Sequence, residues 1–399
     1  LNKLEIILSK RSIQRSKKSL IVKNIINDLK KNRDIALIKY EKKFSKVRNI
    51  NSRNLKFSDK EIKNIIKKLD NNTKKSINLA FDRIYKFHKL QKFKNYKIFD
   101  RYKNSLSYIS SPIEKIGVYV PGGNASYPSS VLMNCIPALI AGVKEIYMTT
   151  PSFGKNNNPA VFYAAKKCKV KEIYKVGGAQ AIGALAFGTK SIKKVNKIVG
   201  PGNEFVALAK KEVFGEVGID MMAGPSEVTV IGDQTSNSDW IASDLIAQAE
   251  HDEYAQSILV SNNKKLISKV NISLKRQLKF LPKKKIASKS LKFFGIAIYV
   301  KKNKDIINVI NCIAPEHLEV CTKNPNKIVK NITNSGSIFI GNYSPEAMGD
   351  YIAGTNHVLP TSGSAKFSSG LSVYDFLKRH SVIKITKSGI ERLGSSVIN

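Results

Sequence analysis

The spacing of hydrophobic positions changes near residue 115. Before that point, residues 12–95 carry apolar side chains every three or four positions among Lys and Asn. The spacing is clearest in two sets: Val22, Ile25, Ile26, Leu29 and Ile62, Ile65, Ile66, Leu69. Side chains at this interval share one face of an α-helix, so the pattern predicts a helical N-terminal segment.

From residue 116 onward, short runs rich in β-branched and aromatic residues alternate with helical stretches. The predicted strands are 116–120, 145–150, 172–176, 197–200, 227–233, 257–261, 295–300 and 336–341. The predicted helices are 129–141, 158–167, 179–187, 239–252 and 264–277. This alternation is typical of βαβ units and predicts an α/β fold with parallel sheets, without an internal repeat of short period.

Three glycine-bearing loops lead from these strands into helices. They read "PGGNASYPSS" (121–130), "GGAQA" (177–181) and "GPGNE" (200–204). Free N–H groups and the dipole at a helix start suit an anion such as pyrophosphate. None of the loops fits G-x-G-x-x-G, and each alone is compatible with an ordinary strand-to-helix turn. Three in consecutive units favour a nucleotide or another anionic ligand.

Length and composition narrow the class of protein. A chain of 399 residues predicts two or three domains. No apolar run is long enough for a membrane span and no secretory leader is visible, so we expect a cytoplasmic protein without a membrane partner. The four cysteines lie far apart without a Cys-x-x-Cys pair, which argues against disulfides and a thiolate zinc site.

The net charge of +38 raises the question of nucleic-acid binding. Lys is spread widely and mixed with Asn and Ile, and no basic run is interleaved with stacking aromatics. Coding from an AT-rich genome explains this composition better than a phosphate-binding surface, so we expect no nucleic-acid partner. The segments poorest in Lys are 117–143, 177–190 and 220–260, and functional residues are expected there.

The helix predicted at 239–252 carries a row of polar side chains. Asp244, Gln248 and His251 are spaced by four and three residues and would share one face. The row is either a metal platform or the solvated face of an amphipathic helix. Nitrogen and oxygen donors without thiolates fit zinc or manganese, although Gln is an uncommon ligand. Asp350 supplies a further carboxylate from a later loop.

Glu316 and His317 form an adjacent acid–base pair in "APEHLEV" (314–320). Around a turn, both could face one substrate for two separate proton transfers. The alternative is a helix that begins at the Pro-Glu step, with Glu316 stabilising its dipole. His357 also lies in a segment poor in Lys, whereas His88 and His380 are interpreted as structural.

Seven sequence blocks resemble the histidinol dehydrogenase family, in the family's order and over nearly the whole chain. They are "GVYVPGG" (117–123), "VGGAQAIGALAFGT" (176–189), "KIVGPGN" (197–203), "DMMAGPSEV" (220–228), "SDLIAQAEH" (243–251), "APEHLE" (314–319) and "GDYIAGTNHVLPT" (349–361). The resemblance implies oxidation of L-histidinol to L-histidine through a bound aldehyde, with two NAD+, by a zinc-containing homodimer. It also implies two incomplete Rossmann-like domains.

The resemblance assigns residue roles by motif. Gln248, His251 and Asp350 would bind zinc, which would hold the substrate's imidazole and amino nitrogens. His317 would be the general base, and Glu316 would activate water at the aldehyde stage. Substrate would contact these groups together with Ser226 and His357. The implied NAD contacts are Tyr119, Gln180 and Asn203. Asp244 would not bind zinc itself, but would face the zinc ligands and help to orient them.

The family pattern also implies a domain division. Residues 1–15 with 372–399 would form a small extension, 16–112 with 226–371 the zinc and substrate domain, and 113–225 the NAD domain. Family members continue into a C-terminal segment that bears a Glu and a zinc-binding His. This sequence runs from Leu1 to Asn399 and does not include that segment, and either end could be truncated. If Asn399 is the true end, the resemblance implies three zinc ligands.

Three other interpretations remain open on the residues. A related zinc and NAD dehydrogenase could act on another amino- or sulfo-alcohol. A zinc hydrolase would use His251 and Asp350 with Glu316 as its base, but it leaves the glycine-bearing loops unexplained. A nucleic-acid-binding protein explains only the charge.

Overall fold

The computed structural model describes residues 4–5, 8, 16–45, 49–122, 127–152, 157–222 and 224–399. The helices are α1 (Ser16–Ser45), α2 (Asp59–Ile66), α3 (Asn71–His88), α4 (Pro128–Ala141), α5 (Pro159–Lys167), α6 (Gly178–Phe187), α7 (Glu204–Val213), α8 (Ser238–Ala249), α9 (Lys264–Gln277), α10 (Lys284–Phe294), α11 (Asn303–Ile313), α12 (Pro325–Val329), α13 (Glu346–Tyr351) and α14 (Lys387–Ile398). The strands are β1 (Tyr96–Phe99), β2 (Ser105–Pro112), β3 (Lys115–Tyr119), β4 (Glu145–Thr149), β5 (Glu172–Tyr174), β6 (Lys197–Val199), β7 (Gly218–Ile219), β8 (Glu227–Gly232), β9 (Gln256–Ser261), β10 (Ile296–Tyr299), β11 (His317–Cys321), β12 (Ser337–Ile340) and β13 (Leu377–Lys384).

Two parallel sheets share one strand order. The first is β5-β4-β3-β6-β7 and the second is β10-β9-β8-β11-β12. Counted from its own first strand, each runs 3-2-1-4-5, which is the Rossmann-type order without its sixth strand. The predicted α/β fold with two incomplete Rossmann-like units is confirmed.

A third sheet, which the sequence did not predict, is antiparallel and has the order β1-β2-β13. Its central strand β2 pairs with β1 on one side and with β13, about 270 residues later in the chain, on the other. The C-terminal strand β13 therefore lies with residues 96–112.

The N-terminal helices pack on the first sheet. Val22 and Leu29 of α1 are buried in the cluster that also contains residues of α6 and α7. Gly183 of α6 permits this approach, because a Cβ there would lie 2.6 Å from the Leu29 Cδ1 atom. Helix α3 contributes Ile84 to the core on the other side of the sheet, together with residues of α4.

This packing differs from the predicted grouping of residues 16–112 with 226–371. The apolar faces of α1 and α3 are covered by helices of the 113–225 unit, and β1 and β2 lie with β13. The domain boundaries stay a prediction, and most of residues 1–15 lie outside the described part of the chain. Among the described helices, none is both long and apolar enough to span a bilayer.

Candidate active site

A cleft of about 200 Å³ lies between the two parallel sheets. The first sheet faces it with the carboxyl ends of its strands, and the second faces it with the amino ends. The first sheet contributes the turn after β6, Gly200–Gly202, at its carboxyl end. The second contributes Ser226 and Glu316, each directly before a strand, at its amino end. Asp350 and His357 line the same cleft. The structure thus brings four of the predicted site residues together around one cavity.

The first residue of β8 organises the acid–base pair. The backbone N–H of Glu227 donates to the Glu316 Oε2 atom at 2.9 Å, and its backbone carbonyl lies 2.8 Å from the His317 Nδ1 atom. Parallel pairing of β11 with β8 places His317 opposite Val228 and produces these contacts. Glu316 lies in a bend and His317 begins a strand, so the alternative of a helix start at this point is wrong.

The His317 imidazole has a defined protonation pattern. Because a carbonyl only accepts, Nδ1 carries the hydrogen and donates to Glu227. Nε2 is then the basic atom, and it lies 3.0 Å from the Nε2 atom of His357, which donates. Burial lowers the pKa of His317 to about 4, so the imidazole is neutral at physiological pH and able to accept a proton.

Glu346 is a site residue that the sequence interpretation missed. It begins α13, and its Oε1 atom lies 3.7 Å from His317 Nδ1 and 3.8 Å from His357 Nε2. Burial opposes its ionisation, but the neighbouring His317 and a hydrogen bond from His357 outweigh that effect and lower the pKa of Glu346. Ligand atoms of these three residues lie within 4.8 Å of one another, so they are one donor set able to hold a metal ion. The sequence predicted a loop at Asp350, whereas the structure places Glu346 and Asp350 one turn apart on the same helix, α13.

The predicted zinc ligands occupy unlike environments. Gln248 is buried in α8, and its side-chain Oε1 atom accepts no hydrogen bond from the described residues. His251 is exposed and follows the end of α8 at Ala249, so it lies in a turn rather than on the predicted helix. Burial raises the pKa of Asp350, and the charge of His251 acts on it in the opposite direction.

The buried position of Gln248 excludes the solvated-face interpretation of that row. A buried amide oxygen without a donor is costly unless a ligand or ion completes it, so Gln248 Oε1 fits an oxygen ligand of a metal ion such as zinc. Asp244 lies one turn earlier on α8 and hydrogen-bonds to Glu319 of β11. Glu319 Oε1 in turn accepts the backbone N–H of Glu346 at 2.8 Å. These carboxyl groups connect α8, β11 and α13 behind the cleft.

The predicted NAD residues lie at the carboxyl end of the first sheet. Tyr119 ends β3, and its hydroxyl accepts the backbone N–H of Gly178 at 3.1 Å. The Gln180 Nε2 atom donates to the Glu41 carboxylate at 3.0 Å. Asn203 caps α7 by accepting the Val206 N–H. None of the three is among the described residues that line the cleft, whereas their neighbours Gly200–Gly202 are.

Side chains of the same chain accept the first backbone N–H groups at the start of α6. The buried Glu41 carboxylate accepts the Gly177 N–H at 3.4 Å, and the Tyr119 hydroxyl accepts the Gly178 N–H. Helix α4 differs, because it begins at Pro128 without a side-chain cap or an acidic first turn. Residues 123–126 of its glycine-bearing loop lie outside the described residues. The predicted NAD contacts stay a prediction.

Together the fold and the cleft define an α/β protein with a buried acid–base centre between two parallel sheets, an arrangement typical of an enzyme active site. The family model for histidinol dehydrogenase matches residues 8–399. The histidinol dehydrogenase of Pelagibacter ubique (strain HTCC1062) is 56% identical over 396 residues, covering 99% of this chain and 91% of that protein. The chain therefore belongs to the histidinol dehydrogenase family, which is a family of oxidoreductases.

Solved structures agree with this assignment. The crystal structure of histidinol dehydrogenase from Elizabethkingia anophelis has a TM-score of 0.93 at 40% identity, covering 100% of this chain and 91% of that one. An acetylating aldehyde dehydrogenase from Geobacillus thermoglucosidasius has a TM-score of 0.50 at 14% identity, covering 93% and 98%. The second likeness concerns the fold alone.

Proposed function

We propose that this protein oxidises L-histidinol to L-histidine with two NAD+, through histidinaldehyde, as the last steps of histidine biosynthesis in the cytoplasm. The observation that carries the proposal is the neutral, buried imidazole of His317, which is next to the cleft-lining Glu316 and lies 3.0 Å from the cleft-lining His357. Alcohol oxidation requires a base for the hydroxyl proton, and oxidation of an aldehyde to an acid requires an activated water.

The proposed roles follow from these positions. His317 Nε2 takes the substrate hydroxyl proton, because its Nδ1–H is held by the Glu227 carbonyl. Glu316 activates water at the aldehyde stage, and the Glu227 N–H orients its carboxylate. Ser226 and His357 contact substrate from the cleft wall. Glu346, beside both imidazoles, stabilises the positive charge that forms when His317 is protonated.

We assign zinc to Gln248, His251 and Asp350. When bound, zinc holds the substrate's imidazole and amino nitrogens, and NAD+ serves as the hydride acceptor. The buried, unpaired Oε1 atom of Gln248 supports the ligand set. Tyr119, Gln180 and Asn203 are proposed to contact NAD+ from the 113–225 domain. The proposed zinc and substrate domain is 16–112 with 226–371, and all the proposed zinc ligands lie in its second part.

We also propose a homodimer in which a second copy covers the antiparallel sheet. This sheet and α14 expose large apolar side chains, namely Tyr96, Ile98, Phe99, Val382, Ile383, Ile390, Val397 and Ile398. A contiguous exposed apolar surface is typical of an interface. Ile98→Asp with Phe99→Asp should convert a dimer into a monomer in analytical ultracentrifugation; a wild-type monomer at micromolar concentration would contradict the proposal.

The deciding assay follows NADH formation with L-histidinol and counts NADH per substrate consumed. We expect two equivalents, with activity lost on chelation and regained with zinc. No turnover of histidinol in the presence of added zinc would contradict the proposal. Turnover of another amino- or sulfo-alcohol alone would support the alternative, a related dehydrogenase with the same cofactors.

Glu316→Gln separates the two steps. The amide keeps the shape and still accepts the Glu227 N–H, but it cannot activate water. We expect oxidation of histidinol to be nearly unchanged and oxidation of histidinaldehyde to fall by about a hundredfold, which is the usual size of a general-base contribution. Separate assays with histidinol and histidinaldehyde measure the rate of each step. If the variant lost the same fraction of the wild-type rate with both substrates, Glu316 would have another role.

A further inference from the structure

The turn after β6 is backed by a buried pair of opposite charges. The side chains of Lys210 on α7 and Asp220 after β7 are 3% and 1% exposed and form an ion pair. Both line the cleft wall beside Gly200–Gly202. No role in the proposed chemistry has been given to either residue.

The two side chains form hydrogen bonds with both backbone polar groups of Gly200. Asp220 Oδ2 accepts the Gly200 N–H at 2.8 Å, and Lys210 Nζ donates to the Gly200 carbonyl at 3.0 Å. Gly200 has φ +113, and a Cβ there would lie 2.1 Å from the backbone oxygen of Tyr119. The turn thus passes directly over the end of β3 in a conformation reserved for glycine.

Stability alone does not require these charges. A buried ion pair is often replaceable by apolar side chains of similar volume without loss, because desolvation cancels much of the attraction. The pair instead fixes the orientation of the backbone, because two charge-assisted hydrogen bonds hold the peptide groups on both sides of Gly200. The second of these peptide groups leads into Pro201, Gly202 and the helix cap Asn203. Pro201 and Gly202 line the cleft.

We propose that Lys210 and Asp220 are a positioning pair that holds the Gly200–Asn203 turn in the conformation that binds NAD+ beside the acid–base centre. The inference rests on the proposed function for the identity of the ligand. It assigns the pair to cofactor affinity and leaves zinc and histidinol binding to the second sheet.

The test compares Lys210→Met, Asp220→Asn and the double variant. Lys210→Met leaves a carboxylate buried without its cation, so both the melting temperature and NAD+ affinity should fall. The double variant leaves no unpaired charge, so its melting temperature should return toward the wild-type value. Its Kd for NAD+ should stay raised by about tenfold, because the Gly200 carbonyl still lacks its charged donor. The KM for histidinol should change by less than about twofold, since uniform cofactor binding is the only term removed.

Lys197→Met is the control for the local charge. The charges of Asp220 and Lys210 act on Lys197, but its Nζ atom donates to the Asp375 carbonyl at 2.7 Å and not to Gly200. Its NAD+ affinity should equal the wild-type value. Calorimetric titration of NAD+ does not need turnover, so it separates this inference from the choice of alcohol substrate. A double variant with wild-type NAD+ affinity, or equal losses of NAD+ and histidinol binding, would overturn the positioning role.

Discussion

The two parallel sheets have the same strand order but contribute opposite ends to the cleft. Ligands of such sheets usually bind beyond the carboxyl ends of the strands, and the first sheet follows this rule with its Gly200–Gly202 turn. In the second sheet that end is closed by the chain itself. Asp233 accepts the Lys323 N–H at 2.9 Å, and Ser236 donates to the Cys321 carbonyl. Its cleft-lining residues Ser226 and Glu316 instead lie directly before strands, at the opposite end of the sheet.

The buried side chains next to the cleft also differ between the two regions. Beside the loops of the first sheet, the buried charged groups are paired within the chain, as in Glu41 with Gln180 and Lys210 with Asp220. In the second region the Gln248 Oε1 atom accepts nothing from the described residues, and the basic nitrogen of His317 meets only another imidazole. The first sheet is built to hold a shape, whereas the second keeps groups that are able to exchange protons and bind an ion.

The largest expected effect is on the second sheet's base. His317→Ala should lower kcat for histidinol oxidation by about a thousandfold, within the range for a general base. The exposed His380 on β13 is the control, and His380→Ala should leave kcat unchanged. Because burial lowers the pKa of His317 to about 4, wild-type kcat/KM should show no acid limb at the usual histidine pKa of 6.5. An acid limb there, absent from a variant at another site, would identify a different base.

The same shift affects stability with a definite sign. His317 is protonated below pH 6.5 in the unfolded chain but only below about pH 4 in the folded one. Its contribution is therefore present above pH 6.5 and lost as pH falls from 6.5 to 4. The wild-type melting temperature should fall more steeply than that of His317→Ala over this interval. Parallel curves would show that His317 is not buried as neutral imidazole.

The next effect tests the rigidity of the first sheet's turn. Gly200→Ala meets both a positive φ and the Tyr119 backbone oxygen, and should cost about 3 kcal/mol or more in the free energy of unfolding. Gly215 is a matched control, because its φ is +104 but a Cβ there meets nothing within 4 Å. Gly215→Ala should cost about 1 kcal/mol. If urea unfolding showed the same loss of unfolding free energy for both variants, the Gly200 turn would be able to rearrange around a Cβ atom.

The regular βαβ elements were predictable because their signals are local. The predicted strand at 116–120 and helix at 129–141 match Lys115–Tyr119 and Pro128–Ala141 within a residue. The antiparallel sheet was not predictable, since Leu377–Lys384 pairs with Ser105–Pro112 across most of the chain and is exposed. The shared strand order of the two sheets could not be predicted either. It depends on how the chain connects successive strands, and no repeated sequence pattern accompanies it.

For the site, the sequence indicated residue types but not their environments. Glu346 and Glu319 reach the centre only through tertiary contacts between α13, β11 and α8. Lys210 had a detectable signal, because it shares the apolar face of α7 with Val206 and Val213. Gln248 gave the same signal on the buried face of α8. A polar residue at a core position of a helix was thus the most informative pattern in this chain.

The smallest expected effect concerns the carboxyl pair behind the second sheet. Burial and the neighbouring Asp244 raise the pKa of Glu319 to about 9, so the folded protein holds a proton that the unfolded chain releases near pH 4.5. The stability from this group is full below pH 4.5 and is lost as pH rises toward 9.

Glu319→Gln imitates the protonated acid, because its amide can donate to Asp244 and accept the Glu346 N–H. The variant should therefore melt higher than wild type by about 2 °C or more at pH 8.5 and show no advantage at pH 4.5. The exposed Glu212→Gln should give no such pH-dependent gain, and a Glu319→Gln curve parallel to wild type would show that Glu319 is ionised in the fold.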